Sequence, residues 1–206
     1  MRRVPGDDAA ERIVGLYEDH AEAWDRQRGR DLIERFWLDR FSALLPAGGS
    51  VLDLGCGMGE PIARYLIGRG FAVVGVDSSP SLLALARRRF PDQQWIDADM
   101  RRVELGRRFD GVLAWHSLFH LRADDQRAMF PRFAAHAARG AALMFTSGPE
   151  AGEAIGKWRG EPLYHASLEP AEYERLLQAN GFAGIDRRLR DPDCGEATVW
   201  LARKGK

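Results

Sequence analysis

The sequence predicts one α/β domain: an open, doubly wound, mostly parallel sheet of seven strands, closed by an antiparallel C-terminal hairpin strand and preceded by a helical cap. Three observations predict it. Short apolar, β-branched runs alternate with stretches of helical period, which is the pattern of a parallel sheet covered on both faces. The last two apolar runs, 185–190 and 198–203, flank Asp191-Pro192-Asp193-Cys194-Gly195 and read as a hairpin. Acidic or aromatic residues end the strands, where such sheets bind ligands.

Each element follows from its residues. Over 7–29, Ile13, Leu16 and Tyr17, then Ala21 and Trp24, fall at helical spacing. Residues 31–45 repeat this with Leu32, Phe36, Trp37, Phe41 and Leu44, until Pro46-Ala47-Gly48-Gly49 stops the run. Residues 1–49 therefore form the cap. The first strand is 50–54, and Pro61 suits the first turn of a helix over 61–68. Strand 72–76 ends at Asp77, and a helix over 79–90 follows. A short strand, 94–96, leads to Asp97-Ala98-Asp99; strand 109–115, helix 124–138 and strand 141–146 complete a core over 50–147. Residues 148–168 show no clear period and carry Gly148, Gly152, Gly156 and Gly160, with Pro149 and Pro162. An irregular stretch of that length inside a compact domain is expected to be functional, here a lid over a pocket. Residues 169–206 supply a helix over 170–179, ended by Asn180-Gly181, and the hairpin.

At 206 residues, 45% of them apolar, the chain is long enough for one domain with a real core. Thirty basic and thirty acidic residues cancel, so the electrostatic footprint of a nucleic-acid binder is missing; clusters such as Arg87-Arg88-Arg89 have acids nearby and read as solvated surface. Of the two cysteines, Cys56 lies in a glycine-rich turn, which disfavours a disulfide and fits a reducing compartment. Residues 1–6 hold two arginines and no apolar leader segment, and no run reaches the roughly 18 apolar residues of a membrane span. The expectation is a cytoplasmic protein, monomer or homodimer, with no nucleic-acid or membrane partner.

The most informative run is Val51-Leu52-Asp53-Leu54-Gly55-Cys56-Gly57-Met58-Gly59-Glu60. A buried strand ends in an acid, and alternate glycines let backbone N–H groups approach a ligand. An acid there suits an ammonium group and repels phosphates. The run closely resembles motif I of class I S-adenosylmethionine (SAM)-dependent methyltransferases, whose fold is Rossmann-like. The resemblance covers nearly the whole chain, through Val73-Val74-Gly75-Val76-Asp77-Ser78-Ser79-Pro80 and Phe109-Asp110-Gly111-Val112. A group of small bacterial methyltransferase-domain proteins is similar in Tyr17, Ala21 and Trp24, in the G-E-P-L-Y-H-A-S-L stretch at 160–168 and in D-P-D-C-G at 191–195. The resemblance implies SAM as cofactor, S-adenosylhomocysteine (SAH) as product, and methyl transfer to an oxygen or nitrogen of a small-molecule acceptor.

It also implies a binding constellation. Asp53, Gly55, Cys56 and Gly57 form the cofactor loop. Asp77 follows Gly57 at the spacing of about 20 residues at which an acid meets ribose hydroxyls, Ser78 beside it; its alternative is a helix N-cap. Asp99 matches the acceptor of the adenine amino group, with Met100 against the ring and Asp97 as the competing acid. Trp115 meets the methionine portion through its backbone, and Tyr17 and Trp24 cover it from the cap.

For the chemistry, His116 and His120 follow the fourth strand, four apart, and are the candidate bases; a structural role for His120 stands beside that reading. As a zinc pair they lack two further ligands, so no metal is expected. Ser117 between them, with Trp158, Tyr164 and His165 of the lid, are candidates for the acceptor pocket, although the lid aromatics could equally pack their own loop. No N/D-P-P-Y/F run follows the fourth strand, which disfavours methylation of nucleic-acid amino groups. Two further readings stay open: a protein or peptide side-chain methyltransferase, and a SAM-binding protein without turnover.

Overall fold

The computed structural model describes residues 5–205; Lys206 and the first four residues of the stretch read for a leader lie outside them. The cap holds three helices: α1 (Pro5–Asp19), α2 (Ala21–Gln27) and α3 (Arg35–Ala43). The helix expected over 7–29 breaks at His20, whose φ of −117° and ψ of 21° leave the helical region. The expected 31–45 helix starts late, because Leu32 adopts a φ of 51°.

The core runs β1 (Ser50–Leu54), α4 (Ile62–Gly68), β2 (Ala72–Asp77), α5 (Pro80–Arg89), β3 (Gln94–Asp97), β4 (Phe109–Ala114), a single 3-10 turn at Leu118–His120, α6 (Ala123–His136) and β5 (Ala137–Ser147). Then come β6 (Gly152–Trp158), β7 (Glu161–Ser167), α7 (Pro170–Ala179), β8 (Phe182–Asp191) and β9 (Ala197–Lys204). The main sheet has the order β3-β2-β1-β4-β5-β9-β8. Its first five strands are parallel, and β9 runs antiparallel between β5 and β8. Strands β1 and β4 are neighbours although β2 and β3 intervene in the chain. The order reverses there, so the crevice beyond the carboxyl ends of β1 and β4 is where an open α/β sheet takes its ligand.

Two apolar layers hold the helices on. On one face, Trp37, Leu38 and Phe41 of α3 and Ile62 and Leu66 of α4 pack with Val51 and Val73. On the other, Met129, Phe130 and Phe133 of α6 and Tyr173 and Leu177 of α7 pack with Leu52, Val112 and Phe145. The D-P-D-C-G run has a structural job in this packing. Buried Asp191 accepts the indole N–H of Trp37 (2.7 Å) and the backbone N–H of Asp193 (3.0 Å), and Gly195 turns the chain at a φ of 63°.

The segment 148–168, expected to be irregular, is instead the separate antiparallel hairpin β6–β7. Its two-residue turn, Arg159-Gly160, has positive φ at both positions (54° and 88°), as a tight hairpin turn of matching twist requires. The strand signal was absent because β6 is exposed along almost its whole length, so no apolar alternation marks it.

Candidate active site

Beyond the carboxyl ends of β1, β2 and β4 lies a cavity of about 600 Å³, roofed by α1 and α2. Asp53, Gly55, Cys56 and Gly57 line its floor, with Asp77 and Ser78 from the end of β2. Asp99 and Met100 line one end; Trp115, His116, Ser117 and His120 line the other; Tyr17 and Trp24 face it from the roof. Trp158, Tyr164 and His165 stand outside this lining.

The floor needs its glycines. At Gly55, with a φ of 78°, a Cβ would come within 2.3 Å of Ser117 Cβ. Ser117 is fixed there because its hydroxyl donates to the carbonyl of Leu54 (2.7 Å). At Gly57, a Cβ would meet only Leu82 Cδ1, 3.9 Å away, so hydrogen keeps that wall of the cavity open.

Two carboxyls share the floor. Asp77 accepts the N–H groups of Gly57 (2.8 Å) and Ser79 (2.9 Å), so it ties the glycine loop to the end of β2. It is not the cap of α5: Ser79 is, accepting the Leu82 N–H at 3.2 Å. Burial pushes the Asp77 carboxyl above its ordinary range. Asp53 is buried, has no hydrogen-bond partner among the described residues, and is pushed up to about 7 by burial and then by the charge of Asp77. Of the two acids at and just beyond the end of β3, Asp99 lines the cavity and Asp97 does not. Burial raises Asp99, but Arg101 reverses this: its guanidinium forks onto both carboxylate oxygens (2.7–3.0 Å), and the carboxyl ends below its ordinary range.

The other end carries two buried imidazoles. His120 Nδ1 lies 2.8 Å from the carbonyl of Tyr164, and a carbonyl only accepts, so the proton is on Nδ1. Nε2 then accepts the hydroxyl proton of Tyr17, at 3.0 Å. Burial, above all, presses His120 down to about 3 and His116 to about 4, so both are neutral near pH 7. His116 is held in a left-handed conformation (φ 49°) by its own N–H, which donates to Thr146 Oγ1 at 2.9 Å. Its ring nitrogens have no hydrogen-bond partner among the described residues. Backbone strain of this kind persists where surrounding structure imposes it, and it concentrates at functional sites.

Residues 24–186, most of the chain, match the family described as a methyltransferase domain. The chain belongs to the methyltransferase-domain family. This methyltransferase domain is 41% identical over 93 residues to the dTDP-3-amino-3,6-dideoxy-alpha-D-glucopyranose N,N-dimethyltransferase of Streptomyces fradiae, covering 44% of this chain and 36% of that protein. It is 38% identical over 104 residues to the magnesium-protoporphyrin O-methyltransferase of Rhodobacter capsulatus, covering 48% of this chain and 45% of that one. The matches span about half or less of the length of these curated relatives. Its fold matches the 1,6-didemethyltoxoflavin-N1-methyltransferase of Burkholderia thailandensis with a TM-score of 0.72 at 21% identity, over 100% of this chain and 92% of the other.

In this methyltransferase domain the aromatics that are candidates for the acceptor pocket pack into the roof. Trp158 stacks on Tyr17 (centroids 5.8 Å), meets Trp24 edge-on (5.7 Å) and donates to Gln27 Oε1. Tyr164 is fully buried and donates its hydroxyl to Glu153, packing with Ala9 and Ile13 of α1. His165 lies against the rings of Phe119 and His120. The sequence reading missed two contributors. Glu18 accepts from Ser79 Oγ, Ser81 Oγ and the Ser81 N–H, which clamps α1 to the start of α5. Arg28 lines the cavity one helical turn beyond Trp24; that spacing, on the face already marked by Trp24, was the available signal.

Proposed function

We propose that this domain moves a methyl group from SAM to an oxygen or nitrogen of a small-molecule acceptor. The observation that carries the reading is one roofed cavity that joins a lone buried carboxyl, Asp53, to a tautomer-fixed Tyr17–His120 pair. The residues fit the cofactor. Asp53 is a buried acid with no hydrogen-bond partner among the described residues, and a cation such as an ammonium group would pair with it. Asp77 can accept ribose hydroxyls on lone pairs its two backbone donors leave free. The open space beside Gly57 leaves room for the nucleoside. Asp99 and Met100 would hold the adenine, and the Trp115 backbone the methionine portion. SAM, when bound, supplies a sulfonium-activated methyl group open to in-line attack.

The chain's own work is then to orient the acceptor, exclude water and take a proton. Tyr17 donates to His120, so the lone pairs of its oxygen are available to accept an acceptor N–H or O–H. As that proton moves to the Tyr17 oxygen, the Tyr17 proton passes to His120 Nε2, and the Tyr164 carbonyl holds the opposite N–H of the imidazolium. Burial makes this a reluctant base, so orientation supports most of the rate. Well-aligned reactants gain roughly 7–11 kcal/mol in favourable cases, against the 10²–10⁴-fold of a positioned base. His116, neutral and with no hydrogen-bond partner among the described residues, is the second candidate. The relatives named above act on an amino sugar and a porphyrin, which supports a small-molecule acceptor.

Calorimetry with SAH, followed by a mass-detected turnover screen of SAM against a metabolite library, tests the reading. A wild-type protein that fails to bind SAH, or an Asp77→Ala variant with unchanged SAH affinity, sinks it.

A further inference from the structure

The tautomer of His120 depends on the Tyr164 carbonyl, and that carbonyl sits on a strand whose single strand neighbour is β6. Carbonyls two residues apart on a strand point the same way. Those of Tyr164 and Ala166 both leave β7 toward side chains of the 3-10 turn and α6. His120 Nδ1 lies 2.8 Å from the first, and Gln126 Nε2 donates to the second at 2.9 Å. Two side chains from one short stretch of chain thus stand where the N–H groups of a third strand would stand.

Gln126 lies in the first turn of α6, is fully buried, and has both ends of its amide engaged. The nitrogen donates to the carbonyls of Leu121 (2.8 Å) and Ala166, and the oxygen accepts the hydroxyl of Tyr173 on α7. That hydroxyl in turn accepts the Leu168 N–H at 3.1 Å. The amide can stand only one way round, because its oxygen cannot face two carbonyls that only accept. The network joins Leu121, the residue after His120, to Ala166, two residues after Tyr164. It therefore sets the spacing between the imidazole and the carbonyl that holds its proton. A fully satisfied buried network specifies one arrangement and loses that specificity when one member goes. Neither Gln126 nor Tyr173 lines the cavity, so both act at one remove from any ligand.

We propose that Gln126 is a positioning residue for His120: it holds the Tyr164 carbonyl on Nδ1–H and so keeps Nε2 open to the Tyr17 proton. Its consequence for turnover rests on the reading of Tyr17 and His120 as the proton-taking pair. Without the Gln126 donors, β7 loses one of its two carbonyl tethers, and the imidazole proton is free to move to Nε2. In that tautomer His120 donates to Tyr17 instead of accepting from it, and the Tyr17 proton has nowhere to go.

Nitrogen NMR of the imidazole side chains tests this, because it separates Nδ1–H from Nε2–H rings and needs no acceptor. Wild-type His120 is expected to be Nδ1–H at neutral pH. Gln126→Met keeps the volume and removes the donors. It should give a mixture of the two tautomers and lower turnover by about tenfold, a smaller loss than removing the base itself, with SAH affinity within a few-fold. Tyr173→Phe leaves the amide in place without its anchor. It should shift the tautomer the same way but less, and it carries the test if Gln126→Met does not fold. Val112→Ala opens a cavity in the same apolar layer without touching the network, so it should cost stability and leave the tautomer as in wild type. A wild-type His120 protonated on Nε2 overturns the proposal, and so does a pure Nδ1–H ring in the folded network variants. A tautomer shift in a protein that transfers no methyl group would keep the positioning role and sink the reading of the pair, so the two failures are separable.

Discussion

The floor and the roof of the cavity are held by different forces. On the floor, the glycine loop is tied by its backbone: the N–H groups of Gly55 and Cys56 donate to the Val76 carbonyl (2.7 and 3.1 Å), and that of Gly57 to Asp77. The roof is attached by side chains. Glu18 clamps Ser79 and Ser81, Asp25 pairs with Arg89, and Arg12 and His20 meet Glu161 on the hairpin. No backbone hydrogen bond among the described residues ties α1 or α2 to the sheet. Several of the roof's ion pairs are half exposed, and such pairs contribute about 0–1 kcal/mol each. The floor is therefore set when the sheet folds, whereas the roof is expected to release and re-form without unfolding it. A closed site needs that asymmetry to admit its ligands.

The comparison breaks most sharply at Gly55. Gly55→Ala puts a methyl group into Ser117 at a positive φ, and should abolish SAH binding and cost about 3 kcal/mol or more in denaturant unfolding. Retained SAH affinity there would show that the floor yields as easily as the roof. Next come the roof's chemical contacts. Tyr17→Phe and His120→Ala should each lower turnover roughly 10²-fold or more while changing SAH affinity far less. Wild-type rates in both across pH 6–9 would leave the pair a purely structural contact. Asp77→Ala should weaken SAH binding by about 1.5–3 kcal/mol in calorimetry.

The floor also predicts a pH dependence. Ligand-free Asp53 keeps its proton below about 7, and a bound ammonium group favours the ionised form. SAH affinity should therefore rise with pH up to about 7 and then level off, with proton release on binding at pH 6. Asp53→Asn should flatten the curve. The histidines act on the ligand-free fold with the opposite slope to Asp53. His116 and His120 titrate near 4 and 3 when folded, against about 6.5 in an unfolded chain, so the unfolded state takes up protons first. Their contribution is complete above about pH 6.5 and drains as pH falls toward 4 and 3. The smallest effect is Glu18→Gln, which should leave the melting transition nearly unchanged but lower hydrogen-exchange protection in residues 8–29 and 148–167. If protection in those segments is insensitive to this variant and to SAH, the roof is as fixed as the floor.

The floor was legible in the sequence because backbone geometry writes itself into residue types. Positive φ demands glycine at 55 and 57, and a parallel strand ending in an acid is a short, recognisable word. The choice between Asp97 and Asp99 was not legible, since it depends on which acid the chain turns into the cavity after β3. The roof was barely legible. Glu18 works through contacts with residues far along the chain, at Ser79 and Ser81, and Arg28 reaches the cavity wall from a side chain held by Glu34. The β6–β7 hairpin hid because its outer strand has no apolar face and its turn carries arginine where asparagine is commoner. For Tyr164 and Trp158 the residue types alone do not choose between lining a pocket and packing; their ring contacts run to α1 and α2.

The hairpin's isolation has an engineering consequence. Residues 152–167 pair only with each other, turn at an exposed Arg159-Gly160 tip, and meet the rest of the chain through ring and side-chain contacts. The tip of such a piece can be varied while its base, where the Tyr164 and Ala166 carbonyls meet His120 and Gln126, stays in place. A library that randomises the β6–β7 tip while keeping Trp158, Glu161 and Tyr164 would vary the outer edge of the roof and leave the glycine loop untouched, so the strength of roof closure could be tuned without first repairing the floor.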